Sequence, residues 1–195
     1  MRGIAIITAV AILVISTFAA AAETEKTDIV TLAVEGGYIV LHEPISDEFD
    51  DAECLGLTLS YHFRPHVWLE LPIQFSAHEG DDLPEGRDAE LSMATVTPGF
   101  AFGSGNRLRY WLFLGGGVNM IDSTVENGDF KADTSTVGYV FNSRAGIDLN
   151  ITRGLFAGLA MGVITTRAEF EELRGGTSWD TFSYYNMNLR IGYTF

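Results

Sequence analysis

The sequence predicts an all-β protein: an eight-stranded antiparallel up-and-down transmembrane β-barrel. Three observations carry this. Apolar and polar residues alternate with period two in about eight runs, the links between runs alternate short and long, and the long links hold most of the acids. Composition agrees, because 21 glycines against 5 prolines with 12% aromatic residues suits strands crossed by turns. At 195 residues the chain is of single-domain size. Twelve cations against 26 acids give a formal charge of −14, which argues against nucleic acid as a partner, since that affinity comes from cations meeting phosphates.

The first segment reads as an export signal. Arg2 precedes an uncharged run through Ile4, Ile7, Val10, Leu13 and Ile15 that closes on Ala19, Ala20, Ala21 and Ala22, an A-x-A type cleavage site. The alternative is a retained anchor, as the uncharged stretch is nearly long enough to span a bilayer. Cleavage after Ala22 leaves 23–195 as the barrel domain and, by removing Arg2, moves the charge from −14 to −15. No Cys follows the small residues, so lipoprotein processing is not indicated. Cys54 is the single cysteine, so an exported chain has no disulfide framework.

The runs fall near 28–42, 54–63, 67–78, 89–102, 108–120, 136–149, 154–166 and 181–195. In the first, Val30, Leu32 and Val34 oppose Thr31 and Glu35. In the second, Leu55, Leu57, Leu59, Tyr61 and Phe63 oppose Gly56, Thr58, Ser60 and His62. The third follows a tight turn and sets Val67, Leu69, Leu71, Ile73 and Phe75 against Trp68, Glu70, Pro72, Gln74 and Ser76, so the pair reads as a hairpin. The fourth is the weakest: Leu91 and Met93 fall on one parity and Val96, Pro98, Phe100 and Phe102 on the other, which predicts a bulge near Ala94 and Thr95. In the fifth, Leu112 and Leu114 oppose Arg109, Gly115 and Gly117. The sixth sets Val137 and Ile147 against Asn142, Arg144, Gly146 and Asp148, and the seventh sets Leu159 and Met161 against Gly158 and Gly162. In the last, Tyr185, Met187, Leu189, Ile191, Tyr193 and Phe195 oppose Tyr184, Asn186, Asn188, Arg190, Gly192 and Thr194.

Short links sit at 64–66, 103–107 and 150–153, and long ones near 43–53, 79–88, 121–135 and 167–180. In an up-and-down meander alternate connections emerge at the same end, so the long loops share one rim. With adjoining residues the four long links hold six, six, four and four acids, whereas the short ones hold none and carry Arg64, Arg107 and Arg153.

Alternation alone leaves two barrels open, a membrane barrel and a soluble lipocalin-like one that would bind a ligand in an apolar lumen. The polar face mixes its few charges with many glycines, as a crowded narrow interior would, and the apolar face carries no charge, as lipid contact requires. Aromatics form two bands, Phe63, Phe102, Tyr110, Tyr193 and Phe195 toward the short turns and Tyr38, Phe75, Tyr139 and Tyr185 toward the long loops, matching interfacial girdles.

The signal segment, the amphipathic runs, the loop asymmetry and the terminal Asn188-Leu189-Arg190-Ile191-Gly192-Tyr193-Thr194-Phe195 together resemble outer-membrane β-barrel proteins, nearest to the transmembrane domain of the outer-membrane protein A type. The resemblance implies a bacterial outer-membrane location, contact with outer-membrane lipids and lipopolysaccharide, and recognition of Tyr193 and Phe195 by the barrel-assembly machinery. Outer-membrane protein A carries a periplasmic peptidoglycan-binding domain after its barrel; this sequence ends at Phe195, so no cell-wall tether is expected.

An eight-stranded barrel is just wide enough for its own side chains to fill. The inward parity contains Glu35, Glu70 and Asp148 with Arg109, Arg144 and Arg190, an equal count that predicts a mutually satisfied ion-pair network plugging the lumen. A narrow or gated pore is the competing expectation. The acidic loops, with Asp47, Glu48, Asp50, Asp51, Asp81 and Asp82, are expected to be surface-exposed. They read either as a solvated face or as a place where divalent cations or a basic extracellular partner bind; neither of the first two loops has EF-hand spacing.

Catalysis and cofactors are not expected. The four histidines occur as His42-Glu43-Pro44, His62-Phe63-Arg64, His66-Val67-Trp68 and His78-Glu79-Gly80, none of them the His-x-Ser pair of the lipid A deacylases. Asp81-Asp82 sits in a charged loop, and Gly103-Ser104-Gly105 and Gly115-Gly116-Gly117 lack the helix a phosphate loop needs.

Overall fold

The computed structural model describes residues 29–42, 49–64, 66–80, 87–127, 130–171 and 177–195. The signal segment 1–22 and the loop acids Asp47, Glu48, Asp81 and Asp82 lie outside them. Within the described residues nine strands build a closed antiparallel barrel of eight staves. They are β1 (Ile29–Leu41), β2 (Ala52–Arg64), β3 (Val67–Glu79), β4 (Arg87–Val96), β5 (Gly99–Ser104), β6 (Leu108–Asn127), β7 (Phe130–Asn150), β8 (Leu155–Glu171) and β9 (Thr177–Thr194). Consecutive strands pair except β4 and β5, which lie end to end and each pair with β3 and β6, and β9 pairs with β1 to close the ring.

The register fixes the barrel's shape. Following paired residues once around, Thr31 leads to Ser60, Glu70, Gly99, Gly115, Asn142, Ile164 and Tyr184, and returns to β1 at Leu41, ten residues beyond its start. Eight staves with that stagger tilt the strands by roughly 40° and leave a lumen only as wide as packed side chains. Because register partners share a face, this circuit also separates inside from outside. Val34, Leu55, Leu112, Leu114, Val137, Ile147, Leu159, Met161 and Leu189 are exposed on the outer wall, as are all nine aromatics of the two bands.

The fourth stave differs from the sequence-based expectation. No bulge occurs near Ala94 and Thr95: β4 and β5 keep one register against both β3 and β6, as though the stave were continuous. Leu91 and Met93 change no parity; they point inward with Thr95, Thr97 and Ala101. What divides the stave is Pro98. Its carbonyl accepts from the Gly116 N–H at 3.2 Å, but proline has no N–H to return the bond. Pro72 does the same on β3, accepting from the Thr97 N–H at 3.2 Å without donating.

Two of the expected long loops are mostly strand. β6 and β7 stay paired out to Asn127 and Phe130, and β8 and β9 out to Glu171 and Thr177, so the hairpins occupy much of 121–135 and 167–180. Beyond the apolar belt neither face is dry, so the alternation that reveals a strand stops while its hydrogen-bond ladder continues. Asp122, Asp133, Thr134 and Ser135 are all exposed there, and Thr124 Oγ1 donates to Asp133 Oδ1 at 2.9 Å.

Pro98→Ala supplies the missing donor to Gly116. The added bond outweighs the freedom the unfolded chain regains, so urea unfolding of the folded barrel should show a gain of about 1 kcal/mol. A lower midpoint would contradict this reading of the break.

Candidate functional site

The lumen gathers all six charged residues expected there. Glu35 on β1 pairs across from Arg190 on β9, Arg190 from Gly158 on β8, Gly158 from Asp148 on β7, and Asp148 from Arg109 on β6, so one row across five staves aligns four of the six. Gly158 is the spacer. A Cβ there would collide with Asp148 Oδ1 and with the Ile147 carbonyl, so the carboxylate uses the room that a side chain would take.

Direct bonds hold the ends of the network. Arg144 Nη2 donates to Glu35 Oε2 at 2.6 Å, and Arg109 Nη2 donates to Asp148 Oδ2 at 2.8 Å. Thr58 Oγ1 donates to the other Glu35 oxygen at 2.7 Å, and Asn188 Nδ2 reaches Oε2 at 3.3 Å. Glu70 accepts from Trp68 Nε1 at 2.9 Å. Arg190 is the hub: it lies 3.6 Å from Asp148 and 3.9 Å from both Glu35 and Glu70. Those separations make its attraction coulombic more than hydrogen-bonded, and it is strong because Arg190 is only 3% exposed.

Aromatic rings insulate the charges. Arg190 stands 4.6 Å from the Trp111 centroid and 5.5 Å from that of Phe156, Arg109 5.2 Å from Trp68, and Arg144 5.7 Å from Trp111. Each cation thus meets a ring face as well as a carboxylate. His62 stacks on Trp68 at 4.9 Å, and its Nε2 lies 3.3 Å from Thr31 Oγ1. Trp68, Ala101, Trp111, Phe113 and Ala160 pack together at the level of the network, so the rings stand among its arginines.

Toward the long-loop end the interior is mainly apolar, a filling absent from the sequence-based expectation, with Thr95, Asn119, Thr166 and Tyr184 hydrogen-bonded within it. Ile39, Leu41, Leu91, Met93, Ile121, Val140, Ile164, Phe182 and Tyr184 form one buried cluster, with Cys54 beside them. The signal was present in the parity: Glu35 leads by twos to Ile39 and Leu41, and Asn142 leads to Val140. Phe49 packs against this cluster from the first loop. The segment carrying it is tied to the rim: the Asp50 N–H donates to Glu79 O at 2.8 Å, His78 Nδ1 donates to Asp50 O at 2.8 Å, and the Leu41 N–H donates to Asp51 Oδ1 at 2.9 Å. Asp50 and Asp51 themselves are exposed.

Tyr193 and Phe195 lie together on the outer wall, their rings 5.1 Å apart and edge-on. The Phe195 N–H donates to Val30 O at 2.9 Å, across the seam that closes the barrel. Cys54 is buried and donates to Asn188 Oδ1 at 3.2 Å. Among the described residues no group of three or more His, Cys, Asp or Glu is placed to hold a metal ion.

The fold and its filled interior define a small closed up-and-down β-barrel. No family model matches the chain, and no curated protein matches it. Solved structures do. Neisserial surface protein A superposes with a TM-score of 0.55 at 8% identity, over 87% of this chain and 98% of that one. Ail, the attachment invasion locus protein of Yersinia pestis, gives 0.54 at 12% identity, over 88% and 100%. The outer membrane protein OprG from Pseudomonas aeruginosa gives 0.53 at 16% identity, over 88% and 97%. At these identities the likeness is one of fold, and it is the architecture of the outer-membrane barrels that the sequence resembles.

Removing the hub cation leaves three buried carboxylates facing two arginines. Arg190→Met should therefore cost about 3–5 kcal/mol in urea unfolding. Glu35→Gln with Arg144→Met should cost less than the two single changes together, by about 1–3 kcal/mol. Additive costs would show that the pair does not interact.

Proposed function

We propose that the chain is an integral outer-membrane barrel without catalytic activity, exported by its first 22 residues, whose lumen is plugged and whose acidic loops form a surface for interaction. The carrying observation is the filled interior, in which an ion-pair network interleaved with aromatic rings gives way toward the long loops to a mainly apolar cluster. The exposed apolar wall supports the membrane setting. Leu55 is 69% exposed and Leu189 67%, and no water-facing surface of a soluble barrel would gain from such a belt. The same observation weighs against the lipocalin-like alternative, whose apolar face would have to point inward. Export, assembly through Tyr193 and Phe195, and contact with lipopolysaccharide belong to this reading. The loop acids are then a solvated, strongly negative surface to which divalent cations or a basic partner would be drawn.

Two measurements test it. Folded protein should need detergent and show heat-modifiable gel mobility, whereas a chain that stays soluble and monomeric without detergent would overturn the membrane setting. In planar bilayers the inserted barrel should give no large stable conductance; one that follows the protein through purification would overturn the plug.

A further inference from the structure

The short-turn rim carries charge of the opposite sign to the loop rim. Each of its three turns holds one arginine, Arg64, Arg107 or Arg153, and no acid. All three are exposed, and none has an ion-pair partner among the described residues. Beside them on the outer wall stand Phe63, Phe102, Tyr110 and Tyr193, the aromatic band at that end.

The rim is also stitched into a fixed ring. The first turn is tied to the second by Gly103 N–H to His66 O at 3.0 Å and His66 Nδ1 to Gly103 O at 3.1 Å. The second is tied to the third by Asn150 N–H to Arg107 O at 2.9 Å. The third meets β9 through Thr194 N–H to Gly154 O at 2.7 Å, and β9 meets β1 through Phe195 and Val30. Left-handed glycines make two of the turns tight: Gly105 at φ 118° and Gly154 at φ 88°. The arginines therefore stand on preformed corners, and ordering the backbone adds no cost when they bind.

We propose that these three arginines form a collar for the phosphates of anionic phospholipids, phosphatidylglycerol above all, in the leaflet that meets the short turns. The proposal rests on the membrane-spanning reading above. Successive turns are two staves apart, roughly 12 Å, so each guanidinium engages its own headgroup. A guanidinium fork matches phosphate oxygens, and the aromatic band places it at headgroup depth. The collar fixes the barrel's depth at one leaflet while the acidic rim stays in water at the other. Each arginine should contribute about a five-fold preference for an anionic over a zwitterionic headgroup, and three together roughly a hundred-fold.

The test uses the folded barrel in neutral detergent, equilibrated with equal amounts of phosphatidylglycerol and phosphatidylcholine of the same chains, with co-purified lipid measured by mass spectrometry. The unaltered protein should retain phosphatidylglycerol selectively. The triple change R64Q, R107Q and R153Q should lose that selectivity while keeping heat-modifiable mobility, and each single change should lower it about five-fold, which keeps the test open if the triple change does not fold. Equal retention of both lipids by the unaltered protein, undiminished selectivity in the variants, or displacement of the lipid by soluble polyglutamate would overturn the collar alone. A chain that needs no detergent would overturn the spanning reading as well.

Discussion

Closure of the sheet is the constraint from which the rest follows. Once β9 pairs with β1, every stave has two neighbours and no edge is left open, so the wall satisfies its own backbone except where Pro72 and Pro98 cannot donate. The same closure, with a stagger of ten residues over eight staves, leaves a narrow lumen crowded by side chains, in which an unpaired charge is costly. Each strand must therefore have one face suited to apolar surroundings and another suited to crowding. The glycines along the inner face serve the second requirement: Gly146 makes room for Trp111 and Gly192 for Phe156, as Gly158 does for Asp148.

The lumen solves the crowding in two chemistries. Three acids and three arginines face one another toward its short-turn end and aromatic rings cover the guanidinium faces, but the expected mutual satisfaction is incomplete: Glu70 Oε1, Asp148 Oδ1 and Arg190 Nε are buried without a hydrogen-bond partner among the described residues. Buried ion pairs gain little net stability over apolar packing because desolvation opposes the attraction. Their structural effect is specificity: Arg190 and Glu35 are register partners, and a slip of one residue between β9 and β1 would turn one of them to the outer wall. Toward the loops the filling is mainly apolar, with one hydrogen-bonded polar set inside it, and Phe49 packs against it.

Much of this was legible in the sequence because the outer wall imposes period two along most of each strand. Leu55, Leu57 and Leu59 show it on β2, and Met187, Leu189 and Ile191 on β9. The six lumen charges followed from parity. What the sequence obscured lay where the two faces stop differing. Leu91 and Met93 are apolar yet inward, so they mimicked a change of phase; Asp122, Asp133 and Ser135 extend strands beyond the apolar belt, so they looked like loop. The hydrogen-bonded ring of short turns left no compositional mark beyond its glycines and arginines.

The central claim is that one face of each strand meets lipid while the other fills a closed lumen. A nitroxide scan along β9 tests it most directly, with single cysteine-linked labels from 185 to 191 in the bilayer-inserted barrel and collisions counted with oxygen and with a water-soluble nickel complex. The account predicts alternation, with labels at Tyr185, Met187, Leu189 and Ile191 open to oxygen and closed to nickel, and those at Asn186, Asn188 and Arg190 shielded from both. Free nickel access at the inward positions, or no alternation at all, would contradict it.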